Sequence, residues 1–128
     1  MDKKDERRAE QRLRYHWPIW FSEDLKEEVA QGQMVDVSSN GAAFTCHADE
    51  KCPREGEQVT ARFSVPHFNS DEAFEMANFT RMGMVARVEQ VNSFVRRVAV
   101  QFAETLPFRP GEQVEMNCKG RGLTEVMI

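Results

Sequence analysis

From Leu13 onward, hydrophobic and polar residues alternate at the two-residue spacing of β-strands, and few stretches repeat at helical spacing. The run LRYHWPIWF (13–21) is rich in aromatics, and Pro18 within it, lacking a backbone donor, predicts an edge strand or a bulge. SEDLKEEVAQGQ (22–33) reads as a polar connection that closes a hairpin, with Gly32 as punctuation. MVDV (34–37) runs into SSNG (38–41) and then AAFTC (42–46). Asn40-Gly41 between two strand-like runs predicts a hairpin turn, because both residues tolerate positive φ. In EGEQVTARFSV (55–65), Val59, Ala61, Phe63 and Val65 share one face, with Thr60, Arg62 and Ser64 on the other. PHFNSDEAFEMANFTR (66–81) has no clean period and predicts a long loop with one helical turn at most. MGMVARVEQV (82–91) and FVRRVAVQF (94–102) predict a hairpin turning at Asn92-Ser93, with Val98, Val100 and Phe102 facing inward. ETLPFRPGEQV (104–114) predicts a turn and a further short strand.

Six or seven short strands separated by turn signals predict an all-β fold, a small six-stranded antiparallel β-barrel that closes its own edges. A division follows: residues 1–12 as a flexible arginine-rich arm, 13–108 as the barrel, and 109–128 as a C-terminal extension that offers one more strand. The echo between REGEQV (54–59) and RPGEQV (109–114) is too short to establish a duplication and fits a shared turn-then-strand solution. Trp17, Trp20 and Phe21 read most simply as barrel or rim residues, with base stacking by one of them as the alternative.

Composition narrows the function classes. With 128 residues, 41% of them hydrophobic, one modest domain is expected. No apolar run approaches the ~20 residues of a membrane helix, and MDKKDERRAEQR lacks the apolar core of a secretory signal. Three cysteines, an odd number, argue against a disulfide framework and for a reducing, cytoplasmic setting. Net charge is −4, but residues 1–14 carry +2 and the rest −6. A basic arm therefore precedes an acidic body, which disfavours duplex DNA, whose phosphates call for a broad basic face. A small anionic ligand held by a few arginines fits better.

Two motifs carry candidate chemistry. One is RAEQR, Arg8 to Arg12, preceded by Arg7; the other is DVSSNG, Asp36 to Gly41, at a strand end and turn. Taken singly, the first is better read as a solvated tail and the second as an ordinary hairpin whose Asp and Ser satisfy their own backbone. Together, in this order and at this gap, they resemble the PilZ domain signature of RxxxR followed by DxSxxG, and VARVEQV…VAVQF resembles that family's closing strands. The resemblance covers roughly residues 6–106. It implies a six-stranded barrel that binds the bacterial second messenger cyclic di-GMP through Arg7, Arg8, Arg12, Asp36, Ser38 and Gly41.

The residue types suit that ligand, which carries two phosphodiester anions and two guanines. Arginine presents a planar fork that matches the O6/N7 edge of guanine, pairs with phosphate, and stacks on π faces. Asp36 offers two acceptors to the N1–H and N2–H₂ donors of a guanine. Ser38 either contacts the ligand or braces the turn, and Gly41 supplies either positive φ or room for close approach. Arg87, Arg96 and Arg97 lie on strands that the sequence does not orient, and they stay outside the candidate set. One departure from the family stands out: many members have Gly where this chain has Ala99, and a methyl there either narrows the pocket or alters an inward strand contact.

No catalytic constellation and no metal set assembles. Cys46, His47 and Cys52 lack paired ligand spacing, and no nucleophile stands beside His16 or His67. The expectation is a stand-alone cytoplasmic receptor, neither enzyme nor cofactor protein. Its arm orders over cyclic di-GMP and its altered surface signals to a downstream protein, in motility or biofilm control. Alternatives are a PilZ-like adaptor that ignores the nucleotide and a single-strand nucleic-acid-binding barrel; the intact motifs count against the first and the acidic body against the second.

Overall fold

The computed structural model describes residues 10–26, 28–68 and 74–112. Seven strands run in order: β1 (Leu13–Arg14), β2 (Pro18–Ser22), β3 (Ala30–Val37), β4 (Gly41–His47), β5 (Gln58–Phe68), β6 (Phe74–Gln90) and β7 (Val95–Phe102). All pairings are antiparallel, in the order β1-β3-β2-β5-β6-β7-β4, and a β3–β4 pairing closes the sheet on itself. Six strands thus form the closed barrel, and β1 adds to β3. In effect β1 and β2 are one strand interrupted at Tyr15–Trp17, where Tyr15 N donates to Val35 O (3.2 Å) and Met34 N to Trp17 O (2.7 Å). Pro18 stands at the first residue after that interruption, the position in a sheet where a missing N–H does least harm.

The interior is filled from the alternating positions of each strand. Val59, Ala61, Phe63 and Val65 from β5 are all buried, as are Val98, Val100 and Phe102 from β7. Phe21 meets Phe44 with ring centroids 4.8 Å apart, and Phe63 stacks on Phe102 at 5.5 Å. Each such side chain contributes roughly 1.5–3 kcal/mol by leaving water. The Tyr15 hydroxyl donates to the Ser64 carbonyl, tying β1's end across to β5.

Four local expectations need correction. Residues 66–68 and 74–81 are strand rather than loop: β5 and β6 pair without a break from Gln58↔Met84 to Phe68↔Phe74, and residues 69–73 lie outside the described residues. The period is blurred there because only part of this end of the hairpin is covered. Phe108 stacks on His67 (4.4 Å) and tilts against Phe79 (5.9 Å), while Glu75 and Asn78 stay in water. Gly32 is not punctuation but lies inside β3, where a Cβ would sit 2.5 Å from the Thr45 carbonyl oxygen. The β3–β4 turn forms at Ser38–Asn40, yet neither Asn40 nor Gly41 takes positive φ; among the described residues Leu25, Glu28 and Gly56 do. Finally, Pro110–Glu112 is helical rather than a strand, and residues 113–128 lie outside the described residues. The two six-residue echoes therefore adopt different structures where both are described.

Candidate functional site

Two β-bulges build one patch of the barrel's outer face. In β3 the register shifts between Met34 and Asp36, so Val35 is the extra residue and Asp36 comes to face Ala43 of β4. In β6 it shifts between Val85 and Arg87, so Ala86 is extra and Arg87 comes to face Ala99 of β7. Because Arg14 pairs with Asp36 and Ala43 with Ala99, one lateral row crosses five strands: Arg14, Asp36, Ala43, Ala99, Arg87. Its centre is two methyl groups and its flanks are charged. A cavity of about 420 Å³ opens over this row, with Arg12, Arg97 and Glu89 completing the charged rim. That volume falls within the roughly 300–1,000 Å³ of small-molecule sites.

Asp36 is the electrostatic centre. Its Oδ1 accepts from Arg12 Nη1 at 2.9 Å and its Oδ2 from Arg97 Nη2 at 3.2 Å, so both oxygens are shared with cations. Its side chain is 10% exposed, against 39% for each arginine, so the arginine side chains reach solvent while the carboxylate is mostly buried. At the far flank, Arg87 Nε lies 3.4 Å from Glu89 Oε2. Four arginines against two carboxylates leave the pocket with an excess of two positive charges. Such a site suits a dianion with hydrogen-bonding edges, since arginine serves phosphate and planar base edges alike.

The other candidate residues fall in three places. Ser38 is buried within the turn, where its N–H donates to Gly41 O (2.8 Å) and its Oγ accepts from Asn40 N (3.2 Å). Gly41 faces β7, not the cavity: a Cβ there would lie 2.4 Å from the Val100 carbonyl oxygen. Both hold the hairpin that presents Asp36. Arg7 and Arg8 lie outside the described residues. Of the six candidates, then, the structure brings Arg12 and Asp36 together in the cavity.

The model of the PilZ domain family matches residues 6–120. The chain belongs to the PilZ family. Its two motifs account for the Arg12–Asp36 meeting, since these residues stand 24 positions apart yet are joined by a hydrogen bond. Among solved structures, the barrel is similar to the Bacillus subtilis inhibitor of motility MotI/DgrA, with a TM-score of 0.62 at 19% identity. That match covers 93% of this chain and 53% of the other, so the PilZ chain described here spans about half of that protein's length. No curated protein matches it significantly in sequence.

Sequence reasoning missed Arg97, Arg14 and Glu10. Arg97 falls out of step with the buried Val98 and Val100 and so faces outward, but Arg87 falls in step with the buried Val85 and is turned outward only by the bulge at Ala86. Glu10 gave no signal beyond its place inside RAEQR; it is buried against Ser39. Among the described residues no group of three or more His, Cys, Asp or Glu side chains is placed to hold a metal ion. None of the described helices is long and apolar enough to cross a membrane.

Proposed function

We propose that this PilZ domain is a receptor for cyclic di-GMP, working in the cytoplasm and passing the signal to a protein partner rather than catalysing a reaction. The observation that carries the reading is the Arg12–Asp36–Arg97 cluster over the Ala43–Ala99 floor. The guanidiniums are the natural partners of the two phosphodiesters and of guanine O6/N7. Asp36 is the acceptor for guanine N1–H and N2–H₂ once an arginine turns from it to the ligand. Arg7 and Arg8, just before the seated Glu10–Arg12 segment, add further cations over the same pocket and become ordered as they do so. Ala99 brings a methyl to the floor, which limits how closely a base stacks on β7.

Isothermal titration of micromolar protein with excess cyclic di-GMP tests this directly. Saturable binding, weakened shallowly by salt as expected for two phosphates, is the expected outcome. Amide exchange across residues 1–9 should slow when nucleotide is added. Absence of binding would leave a PilZ adaptor that recognises proteins alone.

A further inference from the structure

Glu10 is the acidic residue inside RAEQR, and its burial is unusual for a carboxylate beside a basic arm: only 8% of it is exposed. Both oxygens are used. Oε2 accepts from the Ser39 backbone N–H at 2.7 Å and Oε1 from the Ser39 hydroxyl at 2.6 Å. Ser39 sits in the turn that follows Asp36, and its own carbonyl accepts from Leu106 N at 2.8 Å. The neighbouring Asn40 carbonyl accepts from Phe102 N at 2.7 Å, so the turn is anchored to the end of β7. Behind the arm, the backbones of Gln11 and Arg12 press on Gly111, where a Cβ would lie 2.5 Å from the Gln11 carbonyl oxygen. The chain before β1 is therefore gripped from two sides, and the polar grip is Glu10.

We propose that Glu10 is a positioning residue for ligand binding: its carboxylate clamps the chain between Arg8 and Arg12 to the Asp36 turn. This rests on the cyclic di-GMP reading above and deepens it. The clamp holds Arg12 where it meets Asp36, and covalent geometry keeps the Cα of Arg8 within about 7 Å of that of Glu10. The arginines are thus presented from a fixed point. Without the clamp, the entropy of seating Glu10, Gln11 and Arg12 falls on the binding step. A charged acceptor suits the task, since hydrogen bonds to an ionised carboxylate are about twice as strong as neutral ones.

The test uses the full chain and cyclic di-GMP, with isothermal titration for affinity and amide exchange of the free protein for the clamp itself. Glu10→Ala should expose the Ser39 amide to exchange and weaken binding about ten-fold, which corresponds to about 1.4 kcal/mol. Glu10→Gln, whose amide oxygen still accepts from Ser39 N–H, should recover most of both. Ser39→Ala, which removes one of the two bonds and leaves the backbone donor, should fall between and covers the case in which Glu10→Ala fails to fold. In an Arg12→Ala background, Glu10→Ala should cost less, because one arginine fewer depends on the clamp. A merely structural glutamate would lower the melting temperature and leave affinity, measured well below melting, unchanged. Equal affinity for wild type and Glu10→Ala overturns this inference alone. A wild type that binds no nucleotide overturns the ligand reading and the inference with it.

Discussion

Removing Arg12 and Arg97 singly and together separates their roles in the fold from their roles in the site. Each arginine side chain is 39% exposed and holds one oxygen of Asp36, whose side chain is 10% exposed. Truncating either to alanine leaves the carboxylate one cation, so the stability cost should stay within the ~0.2–1 kcal/mol of half-exposed ion pairs. Truncating both strands a mostly buried charge, and an unsatisfied buried acceptor costs roughly 1–3 kcal/mol or more when charged. The double variant should therefore exceed the sum of the singles by about 1 kcal/mol or more, well outside the ~0.3–0.5 kcal/mol of independent sites. In a melting experiment that excess appears as a shift on the order of 4 °C. Adding Asp36→Asn to the double variant should return most of it, since the stranded charge is gone.

Binding should respond differently. An arginine contact to phosphate or a guanine edge is worth roughly 1–3 kcal/mol. Each arginine must first loosen its bond to Asp36, which places the single losses near the low end, about ten-fold in Kd. Affinity should thus fall measurably in variants whose stability scarcely moves. Additive stability losses in the double variant, or no recovery with Asp36→Asn, would refute the account of Asp36 as a carboxylate dependent on both arginines. Unchanged affinity in both single variants would refute the placement of the ligand over this cluster.

Two further outcomes follow from the packing. Gly41→Ala should lower the urea midpoint by an amount equivalent to roughly 1–3 kcal/mol, because its Cβ would lie 2.4 Å from the Val100 carbonyl oxygen and backbone must move. Its effect on nucleotide affinity should be no greater than that of Ser38→Ala, which also acts only through the turn. Burial, then the neighbouring Cys52, pushes the Cys46 thiol up to about 12, and burial raises the Tyr15 phenol above its usual range. Both groups ionise more readily in the unfolded chain, so the stability they confer is whole below about pH 9 and drains away as pH rises toward 12. Urea midpoints measured under reductant at pH 7, 9 and 10.5 should fall along that series, and less steeply for Cys46→Ala.

How much was legible follows from what fixes each feature. The faces of β5 and β7 read directly from alternation, because those segments are buried on one side and wet on the other along their paired lengths. The β6–β7 turn read equally well, since Asn92 Oδ1 accepts from both Phe94 N and Val95 N, a local solution written in one residue. The strand stretches around His67 and Phe79 did not, because their cover comes from Phe108, a residue after β7 that no local window contains. The role of Gly32 and the turn conformation expected of Gly41 were misread for the same reason. A glycine that admits a neighbouring strand looks, in sequence, like a glycine that makes a turn.

The site shows the same limit more sharply. Arg12 and Asp36 announce themselves by motif, but what surrounds them is set by two bulges that insert Val35 and Ala86. Moving one residue out of register reverses which face every later side chain takes. Without the β3 bulge, the residues after Met34 would trade faces, and Asp36 would turn toward the core where Val37 now packs. Without the β6 bulge, Arg87 would not stand opposite Ala99, and the cavity would lose its far wall. The arginine motif therefore supplies charge, and the bulges decide what that charge faces. A bulge leaves little mark in a chain already rich in valine and alanine. Its trace here is a failed alternation, DV before the turn and VAR within β6, where a buried residue and a polar one fall out of step. Deleting Ala86 to restore regular pairing would test the point: the β6–β7 hairpin has pairs on both sides to hold it, whereas the row Asp36, Ala43, Ala99 and Arg87 has only that register to assemble it.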